Sequence, residues 1–221
     1  MVYVYLIGSG IYAFIWLMFF IFRKDLRKKI LVSSFLAAPL GISECLFIPE
    51  YWIPQFKTIP LGQELFLESI LFCFFLGGVS AVAYQIFFQK NLFQCKKINP
   101  FLTLLAPVLF LSYFFRPFDF NLMYYVCLSM LIGAFIAMIY AGAEAKKIIY
   151  AAIVSTLIYS IFYYFLWYTY PELSASYQFN NLSGILLAGI PVEEFLWIFS
   201  FSLYWAPIYE IWRKYFVKNY Q

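Results

Sequence analysis

Pro191-Val192-Glu193-Glu194-Phe195-Leu196-Trp197 is the stretch on which the reading of this chain turns. Its two adjacent carboxylates lie inside the apolar run 183–212, which is long enough to cross a bilayer. An acidic residue at the centre of a membrane helix costs roughly 2.5–3.5 kcal/mol, so such residues usually line an interior cavity or a proton path. Two neighbours cost more unless one keeps its proton while the other ionises. A carboxylic acid beside a carboxylate is a proton donor next to a proton acceptor. The motif therefore points to acid–base chemistry in apolar surroundings.

The flanking chain sets the fold class. Hydrophobic residues make up 65% of the 221 residues and charged residues only 12%; the mean hydropathy is +0.82. These values describe an all-α, polytopic membrane protein. Apolar runs cover residues 2–22, 29–48, 62–88, 101–115, 120–142, 148–169 and 183–212, about seven transmembrane helices. The fourth is short for a span, which takes about 20 residues. The seventh is long, so its beginning reads as re-entrant or the helix as strongly tilted.

Lys and Arg orient these runs. Of the 15 basic residues, all but Lys57 and Arg116 follow the first, third, fifth or seventh run. The positive-inside rule then puts the amino terminus outside and the carboxyl terminus in the cytoplasm, with the chain integral to the cytoplasmic membrane as a multi-pass protein. The first run lacks a basic n-region and precedes Arg23, Lys24, Arg27, Lys28 and Lys29, so it reads as a retained helix. The same loops account for the net charge of +4 and give no reason to invoke nucleic acid.

What is missing narrows the chemistry. The chain has no histidine, which removes Ser-His and Cys-His nucleophile pairs, His-containing metal sites and haem with a His ligand. No Gly-rich dinucleotide fingerprint or P-loop is present. Cys45, Cys73, Cys95 and Cys127 form no Cys-x-x-Cys pair and read as small buried hydrophobes. No cofactor and no metal are expected.

The order of features recurs. Lys28-Lys29, an apolar run, Pro49-Glu50 and a run bearing Glu68 are followed later by Lys146-Lys147, a run, Pro171-Glu172 and a run bearing Glu193. Glu68 then falls opposite Glu193 and Leu71 opposite Leu196. The expected organisation is a three-helix repeat over 1–97, a linking fourth helix over 98–118 and a second repeat over 119–221. One linking helix makes this a parallel repeat of 3+1+3 type within one membrane domain, with a site where the copies meet.

These residues resemble the membrane-embedded lycopene cyclase domain of bacterial, archaeal and fungal carotenoid pathways, with both halves fused in one chain. Pro191-Val192-Glu193-Glu194-Phe195-Leu196-Trp197 matches the Pro-x-Glu-Glu-x-Leu-Phe-type motif that begins the last helix of a half. In the first half Phe66 replaces the proline and Ser69 the second glutamate, with Glu64 one turn earlier. Glu44 stands where the family places an acidic residue near the end of the second helix. The resemblance implies ring closure at the ends of a linear C40 polyene, a substrate that already resides among the membrane lipids. An acid protonates the terminal double bond, a neighbouring double bond attacks the cation, and a base removes a proton, with no net redox change.

Helix geometry gives provisional roles. Adjacent residues lie about 100° apart around a helix, so Glu193 and Glu194 point in different directions. Glu193 is expected to face a cavity with Trp197 one turn on, and Glu194 to pair with it or with another helix. Glu68 shares a face with Glu64, and Ser69 lies beside it. The catalytic candidates are Glu193, Glu194 and Glu68, with Glu64, Glu44, Trp197 and Ser69 in support. Pro191 suits a first helical position, which puts both glutamates in the first turn, where the helix dipole favours negative charge. Tyr51, Trp52, Tyr163, Tyr164, Trp167, Tyr168 and Tyr170 read as an interfacial aromatic belt. Two other classes stay open on the residues alone: a small-solute transporter built on a 3+1+3 repeat, and a carotenoid- or lipid-binding membrane protein without catalysis. Oligomeric state is not legible.

Overall fold

A computed structural model describes residues 3–88, 100–112 and 121–219. Lys90, Cys95, Lys96, Lys97 and Arg116, with parts of the expected linking helix, lie outside the described residues. The architecture is all-α: α1 is Val4–Phe22, α2 Arg27–Ala37, α3 Leu67–Phe88, α4 Leu105–Leu111, α5 Leu122–Ala141, α6 Ala145–Thr169, α7 Val192–Trp205 and α8 Ile208–Asn219. A two-residue hairpin, β1 Leu186–Leu187 with β2 Ile190–Pro191, precedes α7.

Four helical stretches are long and apolar enough to cross a membrane: Val4–Phe22, Lys24–Leu46, Leu67–Phe88 and Leu122–Thr169, the last made of α5 and α6 joined by one 3-10 turn. Phe14, Phe35, Phe135 and Ile161 are each more than 60% exposed. Outward-facing apolar side chains of this size fit lipid, not water.

Local chemistry sets the element ends. Asn121 caps α5, its Oδ1 accepting from Met123 N at 2.8 Å. Gly142, at φ 57, takes a positive-φ conformation that a side chain would strain, and α5 ends there. Pro39 has no N–H to continue the α ladder, and the chain from Ala38 to Leu46 winds as a 3-10 helix. Pro207 likewise lies in the break between α7 and α8.

Three expectations change. Of the two readings of run 183–212, the single tilted helix falls: Gly184 and Gly189 at positive φ and the hairpin occupy its start, and α7 has 14 residues. Pro191 closes that hairpin instead of opening the helix, although Glu193 and Glu194 do lie in the first turn of α7. Glu64 is exposed in a bend before α3 and shares no helical face with Glu68. Leu61 N and Gly62 N both bond to Leu65 O, and Pro60 bridges Phe66, so a tight turn consumes the residues that would have extended α3 backwards.

The chain divides into two compact units, Met1–Val79 with Leu157–Phe195, and Ser80–Thr156 with Leu196–Gln221. Each unit is built from two stretches that are separate in the sequence. In the first, Tyr12 is fully buried and meets Phe72 and Phe162 edge-on at 5.5 and 5.0 Å. Gly41 lies against the α3 backbone: a Cβ there would sit 2.7 Å from Ile70 N and Cα. Gly78 leaves room for the Trp16 Nε1–Ser34 Oγ hydrogen bond of 2.8 Å. In the second unit small residues dominate, with Ala134, Ala137, Ala141, Ala151, Ala152 and Ala206 buried together. Ser155 Oγ bonds to Ser80 Oγ at 2.8 Å and accepts from Ser202 Oγ at 2.9 Å, fastening three helices by hydroxyls.

Gly41→Ala is expected to lower stability in detergent by about 1–3 kcal/mol through overpacking. Gly10, with nothing within 4 Å of an added Cβ, gives the control: Gly10→Ala should leave the midpoint unchanged or raise it. Thermal unfolding of the purified variants checks both.

Candidate active site

The buried acidic groups of interest fall within the first unit, and two loops arrange them. The segment Tyr51–Ile53 runs antiparallel to Ser176–Gln178: Ile53 N donates to Ser176 O at 2.6 Å, Gln178 N to Tyr51 O at 3.0 Å, and Trp52 bridges Tyr177. These are the segments that follow Pro49-Glu50 and Pro171-Glu172 in the sequence. Their pairing brings Tyr51 and Tyr177 together, edge to face, with ring centroids 5.6 Å apart.

Both phenols converge on Glu194. Its Oε1 accepts from Tyr51 at 2.6 Å and Tyr177 at 2.7 Å, and its Oε2 from Tyr159 on α6 at 2.7 Å. Glu194 is 7% exposed. Burial, and then the nearby Glu194 charge, push the Tyr51 and Tyr177 phenols well above the usual tyrosine value. They keep their protons and act as donors. Tyr163 hydrogen-bonds Tyr177 in turn. Since Tyr177 spends its one proton on Glu194, Tyr163 is the donor in that pair. Hydrogen bonds to a charged group are worth about 1.5–3 kcal/mol each, so three of them offset much of the cost of taking a carboxylate out of water.

Glu193 and Glu68 are more deeply buried, at 0% and 1% exposure. Each reaches back to its own preceding loop. Glu193 Oε1 accepts from Ser183 N at 2.8 Å, and Glu68 Oε1 from Thr58 N at 2.7 Å; both spacings are ten residues. Glu68 Oε1 also accepts from Thr58 Oγ1 at 2.7 Å and Ile59 N at 3.2 Å. Its Oε2 has no hydrogen-bond partner among the described residues. A buried polar atom left so is uncommon in a folded chain and is a place to look for function.

Ser69, next to Glu68, belongs to a different cluster. Its hydroxyl donates to Glu44 and accepts from Lys57 Nζ at 2.6 Å, and Lys57 is ion-paired to Glu44. The two charged side chains are 3% and 9% exposed. Lys57 Nζ also sits 4.9 Å from the Trp52 ring centroid, 5.4 Å from Tyr5 and 5.5 Å from Phe66. Burial pushes the Lys57 ammonium below its ordinary value, and the Glu44 charge acts against that shift. Gly41 makes the cluster possible, because its close approach to α3 brings the Glu44 segment onto Ser69 and Ile70.

Glu68, Glu193, Glu194, Glu44 and Ser69 all lie buried in the first unit, whereas Glu64, in the same unit, is exposed. Trp197 stacks on Phe201 at 5.9 Å, and Phe201 on Trp205 at 5.4 Å, a ladder at i, i+4 along α7. Glu172 is exposed. The aromatic belt proves divided. Tyr164 and Tyr168 are 48% and 78% exposed, whereas Tyr51 is buried, and Tyr159 and Tyr163 stack one turn apart on the opposite face of α6. Sequence reasoning missed Tyr51, Tyr159, Tyr177 and Lys57 as site residues. Lys57 carried one signal: it is the lone cation of the 47–66 segment, between elements that bear Glu44 and Glu68.

Residues 121–212 match the family model for lycopene cyclase. The match contains the whole of Pro191–Trp197 and extends well beyond it, so the resemblance to lycopene cyclases rests on far more than one motif. It includes Tyr159, Tyr163 and Tyr177 as well as Glu193 and Glu194, and supports a carotenoid-cyclase function in general terms. No curated protein and no solved structure matches the chain.

Lys57→Met strands the Glu44 carboxylate and should cost about 3–5 kcal/mol of stability. Lys57→Met combined with Glu44→Gln should recover most of that loss. Denaturation of the two variants in detergent micelles, beside wild type, measures the coupling.

Proposed function

We propose that the chain is a carotenoid cyclase of the lycopene cyclase type, closing the end group of a linear C40 polyene without net redox change. The observation that carries this reading is the burial of Glu68, Glu193 and Glu194 within one unit of an apolar helical protein whose residues 121–212 match lycopene cyclases. Protonating an alkene requires a carboxylic acid, a nearby carboxylate and surroundings that exclude water. No histidine is needed, and the chain has none.

The proton donor and acceptor are drawn from Glu68, Glu193 and Glu194. Glu68 Oε2, without a hydrogen-bond partner among the described residues, is an oxygen open to receive a proton. The polyene enters from the bilayer, and the protein lies in the cytoplasmic membrane with its amino terminus outside. The two carboxyl-bearing helix starts act as counterparts in a parallel repeat. Three local likenesses support that equivalence: the matching ten-residue reach of Glu68 and Glu193, the Pro60–Phe66 bridge beside the Leu186–Pro191 pairing, and the antiparallel contact of the two segments that follow Pro-Glu.

Expression in a lycopene-accumulating bacterial host tests the reading. Wild type should convert lycopene to monocyclic or bicyclic carotene. Glu193→Gln and Glu68→Gln should each reduce conversion at least about a hundredfold, the scale of a lost acid–base group, with protein still present in the membrane. Unchanged lycopene with wild type would overturn it, and pigment retained without conversion would make the protein a binder.

A further inference from the structure

Three of the buried carboxylates, Glu44, Glu68 and Glu194, are held in unlike ways, and the difference separates their roles. Glu44 is neutralised by the Lys57 ammonium. Glu68 offers one oxygen that takes three donors and one that takes none. Glu194 has both oxygens occupied by phenol donors and, among the described residues, no ion-pair partner. A protonated Glu194 fits this arrangement less well, because its own O–H needs an acceptor and the three phenols around it all donate. A carboxylate fits it without change, and neutral donors leave the full negative charge in place. An ion pair such as Glu44–Lys57 has no net charge left for a further cation.

We propose, on the reading of the chain as a cyclase, that Glu194 remains ionised throughout turnover as the fixed counter-charge for the cationic ring intermediate, with Tyr51, Tyr159 and Tyr177 as the residues that position it. The proton cycle then belongs to the other glutamates. One of them transfers a proton to the terminal carbon–carbon double bond and becomes a carboxylate, and the alkene becomes a carbocation. The neighbouring double bond supplies the electron pair of the new ring bond and moves the positive charge onto the ring. The same carboxylate removes a proton from the carbon beside that charge, restoring the acid and leaving the cyclic alkene. Atoms and charge balance, no electrons leave, and Glu194 is unchanged at every step. Tyr163 reinforces the arrangement by donating to Tyr177, which strengthens the Tyr177 donor in turn.

The test has two independent readouts. In the first, the infrared spectrum of the purified protein without substrate is compared with that of Glu194→Gln. The expected difference is the loss of carboxylate bands with the protonated-acid carbonyl region unaltered. Loss of a protonated-acid band would overturn the proposal. If Glu194→Gln fails to accumulate, Glu194→Asp serves, and the carboxylate bands should shift with no protonated-acid band moving. In the second, Tyr51→Phe, Tyr159→Phe and Tyr177→Phe keep each ring and remove its hydroxyl. Each should lower the ring-closure rate per folded protein about tenfold or more, the effect of losing one hydrogen bond to a charge. A set of Tyr→Phe variants that cyclise at the wild-type rate would show the phenols to be packing alone and overturn the positioning role. The infrared result needs no polyene. Failure of wild type to cyclise lycopene would therefore count against the cyclase reading, while the ionisation state of Glu194 is still read.

Discussion

The constraint on which the structure depends is the cost of placing carboxylates where water cannot solvate them. An unpaired buried ion loses several kcal/mol of hydration, and the protein must replace it with donors or a counter-ion. Three solutions coexist within one unit. Glu194 takes three phenols, Glu68 and Glu193 take loop amides, and Glu44 takes an ammonium. Each solution recruits chain from a distance. Tyr51 and Glu194 are separated by 143 residues, and Lys57 and Glu44 by 13. The loops outside the helices are consequently as ordered in purpose as the helices, since they supply the donors.

Backbone shape serves the same end. The hairpin before α7 and the turn before α3 each fold the chain back so that amides face the first helical turn. In that first turn free N–H groups and the helix dipole already favour a negative group. Gly41 permits the close approach that carries Glu44 to Ser69. Pro39 turns the end of the second helical stretch into a tighter 3-10 winding, in which side chains at i and i+3 eclipse. The second unit is held by different contacts. It is joined instead by alanine packing and three serine hydroxyls, as expected where backbones approach closely in an apolar setting.

The chemistry follows from keeping unlike acidic groups separate. A carboxylate surrounded by neutral donors keeps its charge and can attract a transient cation. One tied to an ammonium cannot, and one with a bare oxygen has a place for a proton. Aromatic faces around such groups tolerate positive charge. That combination suits proton-initiated closure of a polyene, the activity associated with the family that residues 121–212 match.

Much was legible in the residues themselves. Apolar runs of span length and a 12% charged content fix an all-α membrane class, because length and hydropathy are one-dimensional quantities. Pro191–Trp197 announced its two glutamates, because charge in an apolar run stands out without any knowledge of neighbours. The length of run 183–212 pointed to an irregular start or a tilt, but the hairpin itself and the break between α7 and α8 were hidden, since hydropathy does not distinguish an apolar turn from an apolar helix. Tyr51, Tyr159 and Tyr177 were hidden for a deeper reason: a tyrosine facing lipid headgroups and one facing a buried carboxylate have the same local sequence. Which of the many tyrosines turns inward depends on the pairing of two loops and the rotation of α6, contacts made across more than a hundred residues. The sequence by itself determined the solvent this protein requires and the acids it carries. Only the tertiary structure decided which of those acids meets an ammonium, which meets amides and which meets three phenols, because that choice is made by neighbours in space.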